Sequence, residues 1–189
     1  SLSIFLTFPN VRLIKDKSIP KKDYLAARAH LEGHWKAALE VQLGTGWHVT
    51  EVKRFAERGA IEGHPIKGTK GVAGVLVCPE TKEGGLLRTP VGLGVVVAGG
   101  VLLKRGSFSI EKYGRAIKAA CKRANEEILI EAEKTGAEPE LVEPFTPGRF
   151  RHTVATAAIN SGNDPATESA FLNHKNQRTT RKFYATHAV

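Results

Sequence analysis

A chain of 189 residues with 41% hydrophobic residues is long enough for one domain with a core of its own and too apolar for wholesale disorder. Its 28 Lys and Arg against 19 Asp and Glu leave a formal charge of +9 and a pI near 9.7, which favours a polyanionic partner, nucleic acid first. Cys78 and Cys121 stand far apart and outside any CxxC spacing, so both read as reduced thiols of a cytoplasmic protein.

The opening SLSIFLTFPN is apolar over too few residues to span a membrane or act as a secretory signal, so no membrane partner is expected. The chain holds no methionine, and Ser1 reads as the start of a piece of a longer protein. Residues 19–46 place Leu25, Ala29, Trp35 and Leu39 at roughly helical spacing, up to the Gly44-Thr45-Gly46 breaker. Thr50 is the expected N-cap of a short helix running to Arg58 and ended by Gly59. The Val- and Gly-rich stretch 66–102 predicts strands near 72–78 and 86–91, joined by a turn at Glu83-Gly84-Gly85. GLGVVVAGG, at the end of that stretch, reads as a flexible connection, because the third glycine of a dinucleotide fingerprint and its strand–turn–helix context are missing.

Residues 107–136 predict a long amphipathic helix with Ile110, Tyr113, Ile117, Cys121 and Ile128 near one face. RHTVATAAINSG predicts a helix stopped by Gly162, and Asp164-Pro165 starts another that ends near Asn173. A last helix begins at Thr179 or Thr180. The expected fold is mainly α with a small antiparallel β-sheet, an α+β arrangement.

Other chemistries find little support. His30 and His34 share a helical face, as two zinc ligands can, but no third ligand has an evident position and the HExxH order is absent. No metal is expected. No GKS/T stretch supports nucleotide binding, and no GxSxG supports a serine hydrolase.

The last forty residues carry an ordered series, RHTVATAAINSGNDPATESAFLNHKNQRTTRKFY. It resembles the catalytic domain of the tyrosine recombinases, the phage integrase family, in which an Arg-His-Thr helix start precedes a Leu-Gly-His-like turn, a Thr-Thr pair and a tyrosine. The resemblance extends upstream, where LGTGWHVTEVKRF resembles the family's Thr-Gly-Leu-Arg-x-Ser-Glu segment and ETKEGGLLRTPV its lysine-bearing β-hairpin. It covers roughly residues 20–187.

On this resemblance Tyr184 is the nucleophile, Arg151 the second catalytic arginine, His174 the residue of the turn, and Lys82 the hairpin lysine. His48 stands where the first arginine is expected, Gly148 where the family usually has a histidine, and Phe183 where many relatives have the tyrosine. The implied fold is the tyrosine-recombinase catalytic domain, a single domain over residues 1–189, with the family's N-terminal DNA-clamp domain expected to be absent. The implied reaction cuts and rejoins double-stranded DNA through a 3′-phosphotyrosyl intermediate, in which bond energy is kept, so no cofactor is expected. Lys53, Arg54, Lys104, Lys175, Arg178, Arg181 and Lys182 are expected to track phosphates without reading bases. The fragment is expected to be monomeric alone and the full-length protein tetrameric on paired sites. The alternative is a DNA-binding protein on the same scaffold whose catalysis has decayed, since two catalytic positions are substituted.

Overall fold

The computed structural model describes residues 18–63, 71–81 and 84–161. They form six helices and three strands. In chain order these are α1 (Lys21–Ala29), α2 (Gly33–Thr45), α3 (Val49–Arg58), β1 (Ala60–Gly63), β2 (Gly74–Cys78), β3 (Leu87–Val91), α4 (Leu93–Arg105), α5 (Ile110–Thr135) and α6 (Arg149–Asn160). The mainly helical fold with one small antiparallel sheet is as expected. The Gly162 stop, the helix from Asp164-Pro165 and the last helix from Thr179 or Thr180 lie outside the described residues.

The single helix expected over 19–46 is two. His30 caps α1, Leu31 turns into the core, and Gly33 opens α2 with φ of 53°, a left-handed value that glycine adopts without a Cβ penalty. The helix after the breaker starts two residues earlier than Thr50 predicts, since His48 is its N-cap. Val49, Val52, Phe55 and Ala56 recur on the buried face of α3, and Gly59 ends it.

The sheet has strand order β1-β2-β3, both pairs antiparallel, with Ala60 opposite Val77 and Cys78 opposite Leu87. β1 has no counterpart among the sequence expectations. Its four residues, AIEG, are too short and too polar to read as a strand alone, and pairing with the wholly buried β2 supplies what propensity lacks.

The largest departure is GLGVVVAGG, which is most of α4 rather than a connection. Valine and glycine are poor helix formers, but tertiary burial overrides weak propensity. α4 lies against α2 closely enough that a Cβ on Gly44 would stand 2.4 Å from Val95 Cγ2. Trp47, Phe55, Tyr113, Phe150, Leu39, Leu76 and Leu102 are fully buried, so one core joins the helices to the inner face of the sheet. α5 presents Tyr113, Ile117, Ala120, Cys121 and Ala124 to it. Both cysteines are free and buried, and burial pushes both thiols up. Among the described residues no helix is long and apolar enough to cross a membrane.

Gly44→Ala should destabilise the domain by about 1–3 kcal/mol, because overpacking against stiff Val95 exceeds the roughly 1 kcal/mol gained in helix propensity. Gly44→Ala combined with Val95→Ala should show a positive coupling in urea unfolding, and strictly additive effects would refute the contact argument.

Candidate active site

The turn Gly46-Trp47-His48 is held from three directions. The Trp47 indole Nε1 donates to Thr89 Oγ1 of β3 at 2.9 Å, and the Trp47 backbone N–H donates to Thr45 Oγ1 at 3.1 Å. Fully buried Gln42 donates from Nε2 to Trp47 O at 3.3 Å and to Pro147 O at 3.2 Å. One α2 amide therefore spans from the start of α3 to the residue before Gly148, and thus to the approach of α6.

His48 sits at the N-cap with extended backbone, φ −66° and ψ 150°. Its Nδ1 accepts from the Thr50 N–H at 3.4 Å and lies 3.0 Å from Thr50 Oγ1. In return its own backbone N–H donates to Glu51 Oε2 at 2.9 Å, a reciprocal capping box with histidine in the place usually held by serine or threonine. The same Glu51 oxygen lies 3.5 Å from Arg151 Nη1, with 5% of the Glu51 side chain and 16% of the Arg151 side chain exposed. His48 and Arg151, distant in sequence, thus meet through one carboxylate. Glu51 was present in the motif but carries no role in the sequence reading; a glutamate three residues after a cap was the signal that could have found it.

The base of the β2–β3 turn is tied to the same helix. Cys78 Sγ lies 3.6 Å from Glu51 O and 3.3 Å from Glu80 O. Arg54 Nη1 donates to Glu80 O at 3.1 Å, and Arg58 pairs with the Glu80 carboxylate at 3.1 Å. Buried Thr81 donates from its hydroxyl to Gly84 O at 2.7 Å and from its N–H to Gly85 O at 2.9 Å. Lys82, His174, Tyr184 and the cations Lys175, Arg178, Arg181 and Lys182 lie outside the described residues. Of the expected phosphate-tracking cations within them, Lys53 pairs with Glu57 and Arg54 braces the Glu80 carbonyl. A Cβ on Gly148 would meet nothing within 4 Å, so among the described residues nothing blocks a side chain there.

His30, one of the weighed zinc ligands, instead approaches Glu127 at 3.2 Å, while burial and the nearby Arg105 charge push the His34 imidazole down. Among the described residues no group of three or more His, Cys, Asp and Glu stands together as a metal site. Tyr113 is wholly buried, its hydroxyl has no hydrogen-bond partner among the described residues, and burial pushes it well above the usual phenol range, the opposite of what a reactive phenol needs.

Residues 104–189 match the model of the phage integrase family. The fold is similar to that of the Tn1549 transposon integrase in complex with transposon right end DNA, at 21% identity and TM-score 0.58, covering 97% of this chain and 63% of that one. It is also similar to XerA recombinase, at 17% identity and TM-score 0.61, covering 97% and 64%. A lambda integrase dimer bound to a COC' core site matches at 15% identity and TM-score 0.54, covering 88% of this chain and 58% of that one. Comparison with curated proteins finds no match. Residues 104–189 thus resemble the phage integrase family, within a fold similar to those of solved integrases and recombinases. The chain spans less than two thirds of the length of these solved relatives.

Glu51→Ala removes both the cap acceptor and the Arg151 counter-charge, and should cost about 3–5 kcal/mol in urea unfolding. Glu51→Gln keeps an acceptor for the His48 N–H and should cost less; an equal loss would show that the cap contributes nothing.

Proposed function

We propose that the chain is the catalytic domain of a site-specific DNA recombinase or integrase that cuts and rejoins double-stranded DNA through a 3′-phosphotyrosyl intermediate. The observation that carries this reading is the meeting of His48, Glu51 and Arg151 on one carboxylate, inside this fold. The family match over residues 104–189, which spans the RHT segment and Tyr184, supports it. So do the solved relatives in complex with DNA, and the +9 charge.

In this mechanism Tyr184 Oη attacks the scissile phosphorus, the phosphorus–5′-oxygen bond breaks, and the tyrosine remains linked to the 3′-phosphate. A phenol with a pKa of about 10 is mostly protonated at neutral pH, so attack needs a cationic site and a proton acceptor. Arg151 donates to the non-bridging oxygens as their charge grows in the pentacoordinate state. His174 bonds the same phosphate or orients Tyr184. Lys82 gives the proton that the departing 5′-oxygen requires. Rejoining reverses these steps with a new 5′-hydroxyl as nucleophile, so neither metal nor ATP enters. The chain acts as a single catalytic domain, and the full-length protein works as a tetramer on paired sites.

A second reading, DNA binding with decayed catalysis, is favoured by one observation. The His48 imidazole is used as the cap of α3, and an imidazole cannot reproduce an arginine fork. Loss of one preorganised donor costs about a hundred- to a thousandfold in rate, so the wild-type chemistry is slow.

A suicide duplex nicked near the scissile phosphate separates the two readings. Wild type should trap a covalent adduct, and Tyr184→Phe should trap none while binding the duplex with nearly unchanged affinity. Absence of a wild-type adduct, also in the full-length protein, would hand the case to the decayed enzyme. A Cβ at Gly148 meets no described atom within 4 Å. His48→Arg with Gly148→His should therefore raise the adduct-forming rate, by up to about a hundredfold. Affinity for duplex DNA should also fall steeply between low and moderate salt, as released counterions require; an unchanged affinity would exclude phosphate contacts as its source.

A further inference from the structure

Ser18 and Ile19 lie across the first turns of α6. Arg149 Nη2 donates to Ser18 O at 3.0 Å, and the Ile19 N–H donates to Thr153 Oγ1 at 2.8 Å. The Thr153 hydroxyl in turn donates to Arg149 O at 2.9 Å, so one oxygen serves as acceptor and donor. Thr153 and Ile19 are both buried, and Ile19 belongs to the core. A threonine that bonds back to the residue four earlier is ordinary helix chemistry. Accepting a buried N–H from 134 positions away is not. That second bond is why the position needs a hydroxyl at all, since valine would fill the same volume.

Arg149 and Thr153, one turn apart, face the Ser18–Ile19 strap. Arg151 lies two residues from each, about 200° around the helix, on the side where Glu51 stands. α6 is therefore gripped from opposite sides, by a strap through Thr153 and by a carboxylate through Arg151. Pro20 follows the strap and its carbonyl accepts the Asp23 and Tyr24 N–H groups of α1, so the strap is itself anchored.

We propose that Thr153 is a positioning residue: its hydroxyl ties the Ser18–Ile19 strap to α6 and so sets the rotation at which Arg151 meets Glu51 and the DNA phosphate. The inference rests on the reading of Arg151 as the group that neutralises the scissile phosphate.

The test uses the nicked duplex in two forms, one with the ordinary scissile phosphate and one with a methylphosphonate there, which carries no charge on its non-bridging oxygen. Arg151→Ala should be severely slow on the first and largely relieved on the second. Thr153→Val should be slowed about tenfold or more on the phosphate and less than about threefold on the methylphosphonate, with Thr153→Ser near wild type on both. A Thr153→Val defect of equal size on both substrates, with Arg151→Ala relieved, overturns the positioning role and leaves Thr153 as mere structure. Arg151→Ala slowed equally on both overturns the reading of Arg151 instead, as does a wild-type chain that cleaves neither substrate. Should Thr153→Val fail to fold, amide hydrogen exchange in the unaltered protein decides: a rapidly exchanging Ile19 N–H overturns the strap, and a protected one that Thr153→Ser preserves upholds it.

Discussion

One buried carboxylate organises this domain. Glu51 Oε2 takes the His48 N–H that begins α3 and also faces the Arg151 guanidinium of α6. A carboxylate so far from water is costly unless both its charge and its lone pairs are met, and here a cation meets one and an amide the other. Neither partner could hold the arrangement alone. The cap sets where α3 starts, the ion pair sets how α6 is turned, and the two helices come to depend on each other through a single oxygen.

The surrounding bonds explain why that oxygen is in the right place. Gln42 reaches from α2 to the carbonyls of Trp47 and Pro147, the residues immediately preceding His48 and Gly148. The chain just before His48 and just before Gly148 is thus held by the same buried amide. Trp47 adds a bond to Thr89, which brings β3 into the frame, and Cys78, Arg54 and Arg58 tie the end of β2 and Glu80 to α3. The end of β2 is therefore referenced to the helix that carries Glu51. Much of the polar content of this region is scaffolding, and Arg54 contributes by donating to a carbonyl of its own chain.

How much of this was legible depended on whether the signal was local. Glycine breakers mark the ends of α3 and α5, and the amphipathic pattern of 107–136 gives α5 to within three residues, while the cap of α3 is His48 rather than Thr50. The failures share a cause. GLGVVVAGG became α4 because α2 covers it, and AIEG became β1 because β2 pairs with it; both are decided by partners elsewhere in the chain. The break at His30–Gly33 was missed because hydrophobic spacing continues across it, while Leu31 and the left-handed Gly33 redirect the chain. At the site, the ordered motif singled out Arg151 and His48 as candidates, but nothing local reveals that Thr153 accepts an amide from residue 19.

His48 shows two demands competing for one side chain. As N-cap it must present an acceptor to the first turn of α3, which Nδ1 does. An arginine in its place has five donors and no acceptor, so it cannot cap through its side chain, and α3 would then rely on Glu51 and Thr50. Glu51 already serves the backbone N–H of residue 48, a bond that does not depend on which side chain stands there. Thr50 is a hydroxyl residue within the first turn, 3.0 Å from the ring it would lose. The backbone half of the capping box therefore survives a change at residue 48, and only the side-chain half is surrendered, about 1 kcal/mol by the usual value of a cap. Histidine at this position gives α3 a side-chain cap without disturbing the carboxylate that faces Arg151.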